Sequence, residues 1–148
     1  GWLAARNDTV FLQRGSRAHA RVVNEQIGSL LADGNLIAVF PEGTTTDGST
    51  VLHFHAALLQ PAIVAGRPLQ PLALRYETPG GELCRAPAYD GDITLPQSIA
   101  AITATPRMVA RCIVFAPLAT NAGAARRELA ATAHAQIAGA ITGNPARA

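Results

Sequence analysis

The sequence contains no lysine: all twelve basic residues are arginine. Arginine grips phosphate in a bidentate way, which is one reason to favour it. A GC-rich coding bias favours it too, and the abundance of alanine fits that second reading. Charge is sparse, at 15% against 49% apolar residues, which excludes a disordered chain. A net charge of +2 is too weak to argue for nucleic acid. It is compatible with an anionic membrane surface without requiring one. No apolar run approaches the ~20 residues of a membrane span, so none of these residues is expected to cross a bilayer. Residues 1–15 lack the charged-then-apolar layout of a signal peptide. Cys84 and Cys112 have no metal or redox spacing, and two buried thiols in a reducing compartment are expected.

What is present suits one domain. A chain of 148 residues can bury a core, and neither an internal repeat nor a domain boundary is visible. Val10 to Leu12 reads as a short strand, followed by a loop carrying Arg14 and Arg17. Ser16 can cap a helix that runs to about Ala32, with Val23, Ile27, Leu30 and Leu31 on one face. Asp33-Gly34-Asn35 stops it. Leu36 to Phe40 is too short for a helix and reads as a buried central strand. Two short strands joined by a helix favour parallel pairing. Phe54 to Ala65 is helical in composition, kinked or restarted by Pro61. Leu69 to Tyr76 and Met108 to Phe115 read as further strands, and Leu83 to Tyr89 as a weaker one. Helices are expected over Pro96 to Ala104 and from near Asn121, the latter repeating Leu129, Ala133, Ile137 and Ile141.

The chain is organised around the end of the central strand. Pro41 ends the ladder because it has no N–H to donate. Glu42 then stands just past a strand's carboxyl end, where open α/β sheets bind ligands. Gly43 lets backbone approach a ligand closely. Thr44, Thr45 and Thr46 add three successive hydroxyls. If the first two strands are neighbours, Arg14, Arg17 and Glu42 share one edge of the sheet. There they could hold a phosphate or carboxylate, or form a plain surface ion pair. His53-x-His55 could offer two zinc ligands but has no third nearby, so no metal is expected. The two imidazoles could instead flank the cleft, or one could serve as a catalytic histidine with Asp47 a conceivable partner, although the spacing does not support it. His19 and His134 read as helix-surface residues.

Phe40-Pro41-Glu42-Gly43-Thr44 resembles the signature block of the glycerolipid acyltransferases, the lysophosphatidic-acid acyltransferase family. Val10-Phe11-Leu12-Gln13-Arg14 is similar to that family's second block, a strand ending in an arginine that binds the acceptor's glycerol phosphate. Asp8 stands where a glycine is usual. Leu69 to Leu74, with Pro71 at its centre, is similar to the fourth block, and Gly1 to Ala4 to the segment before the second. The likeness covers most of residues 1–92. It implies an α/β fold with a mainly parallel mixed sheet flanked by helices, like that of glycerol-3-phosphate acyltransferase. It implies O-acyl transfer from acyl-ACP or acyl-CoA to a lysolipid hydroxyl, at the cytoplasmic face of the inner membrane. No cofactor is implied. Arg14 and Arg17 would hold the acceptor's head group with Glu42, Gly43 and Thr44 beside them, and Pro71 would help position donor or acceptor.

Two departures from the pattern carry expectations. Thr45 stands where the block often has arginine, removing one cation and making a lyso-ornithine lipid an acceptor alongside lysophosphatidate. The catalytic His-x4-Asp, whose histidine takes the acceptor's proton, is not met by any of the four histidines: Asn24, Leu58, Gln60 and Gly139 fill the fifth place after them. The chain is therefore expected to be the carboxyl-terminal portion of one acyltransferase domain over residues 1–148, N-terminally truncated and inactive alone. The competing expectation is a non-catalytic lipid- or phosphate-binding module derived from such an enzyme.

Overall fold

The computed structural model describes residues 17–121 and 123–143. Helix α1, Arg17–Ala32, buries Val23 and Ile27, the first two positions of the expected stripe. It ends as its sequence dictates. Gly34 takes φ +87°, its N–H donates to Leu31 O, and Asn35 N–H reaches back to Leu30 O. This paired closure needs a left-handed residue that glycine supplies without strain. Arg67 adds a second stop, donating Nε–H to Leu31 O at 3.0 Å and a terminal N–H to Ala32 O at 3.5 Å.

A 3₁₀ turn, Ala56–Leu59, leads into α2, Gln60–Val64. Pro61 sits in the first turn of α2, where its missing N–H costs nothing. It restarts the helix rather than kinking it. Helix α1 packs on α2. Strand β1, Leu72–Glu77, pairs with β2, Val109–Val114, and helix α3, Leu95–Ala104, lies between them in sequence. Helix α4, Arg126–Thr142, covers one face of β1 and the 3₁₀ turn. The core lies there: Phe54, Leu59, Ala130 and Ala133 are buried together, with Leu69, Leu118 and Ile137 packed around them. Burying Phe54 and Leu59 contributes about 1.5–3 kcal/mol each.

Several expectations are corrected. Among the described residues the sheet is two-stranded and antiparallel, Leu72 opposite Val114 and Glu77 opposite Val109. The parallel sheet does not appear among them, and the strand over Val10 to Leu12 lies outside them. Leu36 to Phe40 is neither buried nor in a ladder; Leu36 is 99% exposed and Phe40 78%. An apolar run encodes a strand only where a second strand accepts its hydrogen bonds, and no described residue does so. Leu83 forms only an isolated bridge to Glu77, so the weaker strand is a turn-rich loop. Cys84 is buried as expected, but Cys112 is exposed, because residue 112 shares the uncovered face of the sheet with Leu74. That face also leaves Leu72, Leu74 and Val114 open. The last helix begins at Arg126, after Asn121 has closed a turn with Ala124.

Candidate functional site

The site grows from one turn. Gly43 N–H donates to Phe40 O at 3.1 Å, closing Phe40–Gly43 into a turn with Pro41 at its first central position. Proline presets that backbone angle. Gly43 follows at φ +69°, a conformation that a side chain would strain. Residues 52–55 lie alongside and brace the turn. His55 N–H donates to Pro41 O at 2.8 Å, and Leu52 N–H donates to Glu42 Oε2 at 2.6 Å. A carboxylate gripped by a backbone N–H keeps a fixed direction. Phe54, between the two histidines, is anchored in the core, so the brace is tied to the packed interior.

Beside the turn is a cleft of about 240 Å³, lined on one wall by Phe40, Glu42 and Thr44 and on the other by Leu74, Tyr76 and Tyr89. Its polar end is the loop after Gly43. Thr45 donates its hydroxyl to Tyr89 O, linking the two walls. Thr46 donates to Thr50 O at 3.1 Å and accepts from Gly48 N–H at 3.2 Å. Asp47 accepts from the hydroxyl of Ser49 at 2.6 Å and from its N–H at 2.9 Å, and meets Arg85 at 3.0 Å. The Ser49 hydroxyl, then its N–H, hold the Asp47 carboxyl below its ordinary range, with a smaller pull from Arg85. A second, more open cleft of about 420 Å³ lies between the 85–93 loop and α3; Ala88 belongs to both.

The structure brings Glu42, Gly43 and Thr44 together at one rim. Arg14 lies outside the described residues. Arg17 opens helix α1, and its side chain also lies outside the description. Pro71 is buried at the start of β1, its carbonyl accepting Phe115 N–H at 3.1 Å, and it does not line the cleft. Asp47 is engaged by Ser49 and Arg85, so the notion of an Asp47–histidine pair is not supported. His134 is no plain surface residue: its ring meets Phe54 edge-on at 5.1 Å and Nε2 lies 3.3 Å from Val51 O. Among the described residues no group of three His, Cys, Asp or Glu side chains could hold a metal ion. No described helix is long and apolar enough to cross a membrane.

Two features escaped the sequence reading. Glu77 is 1% exposed and lies between Arg75, at 3.3 Å, and Arg111, at 2.8 Å. Arg75 also donates to Ile141 O at 2.5 Å, tying β1 to the end of α4. Arg75-x-Glu77 on a strand puts both side chains on one face, which was the available signal. The other is His55. Its imidazole lies against Gly43: a Cβ built there would meet Cδ2 at 3.2 Å and Nε2 at 3.4 Å. The face of Gly43 that a Cβ would occupy is thus filled by the His55 ring.

Residues 1–75 match the family model described as Acyltransferase. The chain is 33% identical to a lyso-ornithine lipid O-acyltransferase of Pseudomonas aeruginosa over 99% of its own length and 55% of that protein. It is 32% identical to one of Rhodobacter capsulatus over 93% of its length and 51% of the relative. A 1-acyl-sn-glycerol-3-phosphate acyltransferase of Neisseria meningitidis is 35% identical over 70% of the chain and 40% of that protein. The chain spans about half the length of the curated relatives it matches. No solved structure matches it.

Proposed function

The chain belongs to the acyltransferase family, and from that premise we propose that it contributes the acceptor side of a lysolipid O-acyltransferase. The reaction moves an acyl group from the thioester of acyl-ACP or acyl-CoA to a lysolipid hydroxyl, releasing the carrier thiol. The observation that carries this reading is the Glu42 carboxylate. It is clamped by Leu52 N–H at the rim of a cleft whose one end is hydroxyl-rich and whose walls include Phe40 and Leu74. Such a cleft suits a molecule with a polar head and an apolar tail. Glu42 Oε1 accepts no hydrogen bond from a described side chain or backbone group, so it can accept from an acceptor's hydroxyl or ammonium. Arg14 and Arg17 would supply the positive charge, and the lipid acceptor would bring the protein to a membrane surface, on the cytoplasmic side.

The acceptor we favour is a lyso-ornithine lipid. Thr45 contributes no cation and its hydroxyl is spent on Tyr89 O. Two relatives that align with more than nine-tenths of the chain are named for that substrate. The test is a competition assay with the full-length protein, lyso-ornithine lipid against lysophosphatidate, with labelled acyl-ACP. Acylation of lyso-ornithine lipid at a kcat/KM at least equal to that for lysophosphatidate is expected. A strict preference for lysophosphatidate would remove the acceptor assignment, and failure with both would remove the activity.

A further inference from the structure

We infer that His55 is a head-group-binding residue, with its imidazole holding the anionic group of the acceptor, phosphate or carboxylate. The inference rests on the acceptor reading above and names a residue that reading does not contain. The geometry supplies three reasons. First, the ring occupies the one face of Gly43 that a side chain would otherwise fill, 3.2 and 3.4 Å from where a Cβ would stand. His55 is not among the residues that line the cleft, but Gly43 stands between Glu42 and Thr44, which are, so the ring lies one residue back from the rim, where a head group projecting past Glu42 would meet it. Second, the backbone that carries the ring is fixed. His55 N–H is bound to Pro41 O at 2.8 Å, and the neighbouring Phe54 is buried in the core. A side chain carried on a fixed backbone has less freedom to lose when it binds. Third, the ring is not used up by the fold. His55 is exposed, its side chain makes no hydrogen bond to a described residue, and its ring meets that of His53 edge-on at 6.3 Å. Phe54 is buried while His53 and His55 on either side of it are exposed, so both imidazoles stand outside the core. A ring N–H donates to an anionic oxygen in either the neutral or the charged form.

The experiment uses the full-length protein with His55→Ala and His55→Arg, assayed with lysophosphatidate and with lyso-ornithine lipid. If His55 binds the head group, His55→Ala raises the KM for the acceptor about tenfold or more, with kcat and the donor KM within about twofold. His55→Arg, which restores a donor for phosphate or carboxylate, returns the acceptor KM to within about threefold of wild type. The acceptor on which the loss is larger identifies which anionic group the ring meets. An unchanged acceptor KM in His55→Ala, or an Arg variant as impaired as the Ala one, would overturn the inference while leaving the acyltransferase reading intact. Should the wild-type protein acylate neither lipid, the ring signals of His55 are followed by NMR on adding, in separate titrations, a short-chain lyso-ornithine lipid and a short-chain lysophosphatidate. A saturable shift with either supports the binding role without the activity, and the absence of a shift in both titrations overturns the inference.

Discussion

Two phenylalanines flank the same turn and meet opposite fates. Phe54 is 4% exposed, closed in by Leu59, Ala130 and Ala133; Phe40 is 78% exposed and forms part of a cleft wall. Their local sequences are similarly apolar. What differs is cover. Helix α4 lies over residues 56–59 and over one face of β1, whereas no described element lies over Leu36 to Phe40 or over the other face of the sheet. Burial here follows from which partner arrives, not from how apolar a segment is. The arrangement also separates duties: the brace at 52–55 draws its rigidity from the covered side and delivers it to the open side, where Glu42 and His55 stand.

That contrast can be broken or sharpened by substitution, with stability read from urea unfolding of the full-length protein. The largest effect is expected for Phe54→Ala, a loss of about 3–5 kcal/mol, since a cavity is left beside Leu59 and His134. Because Phe54 anchors the brace, acceptor binding should weaken as well. Glu77→Gln should cost about 3 kcal/mol, because it leaves Arg75 and Arg111 without their shared carboxylate. A loss under about 1 kcal/mol would mean that water reaches the triad. The smallest effect is expected for Leu36→Ser and Phe40→Ala, each within about 0.5 kcal/mol of wild type. A cost above about 1.5 kcal/mol for either would show that the open segment is covered in solution, and the contrast would fail.

The helices were the legible part. Their signals are local: Val23 and Ile27 one turn apart, Gly34 after the last turn, Pro61 where only a first turn tolerates it. Strand pairing was not legible. Leu72 finds Val114 across 41 intervening residues, and nothing near either residue specifies an antiparallel neighbour. Glu77 was missed because a charged residue at the end of an apolar run reads as a surface position. Only the convergence of two arginines, from β1 and β2, makes its burial tolerable. The site was half legible. Glu42, Gly43 and Thr44 came from one contiguous stretch, while His55 joins them only because residues 52–55 fold back alongside the turn.

Arg67 carries a final consequence. Its guanidinium grips the last carbonyls of α1 from the loop that follows α2, so the heading on which the chain departs toward Glu42 is set by a residue further along than the turn itself. Shortening or lengthening residues 65–68 would therefore swing the departing segment like a misaligned hinge pin. Substrate recognition could then be lost with every contacting side chain still in place.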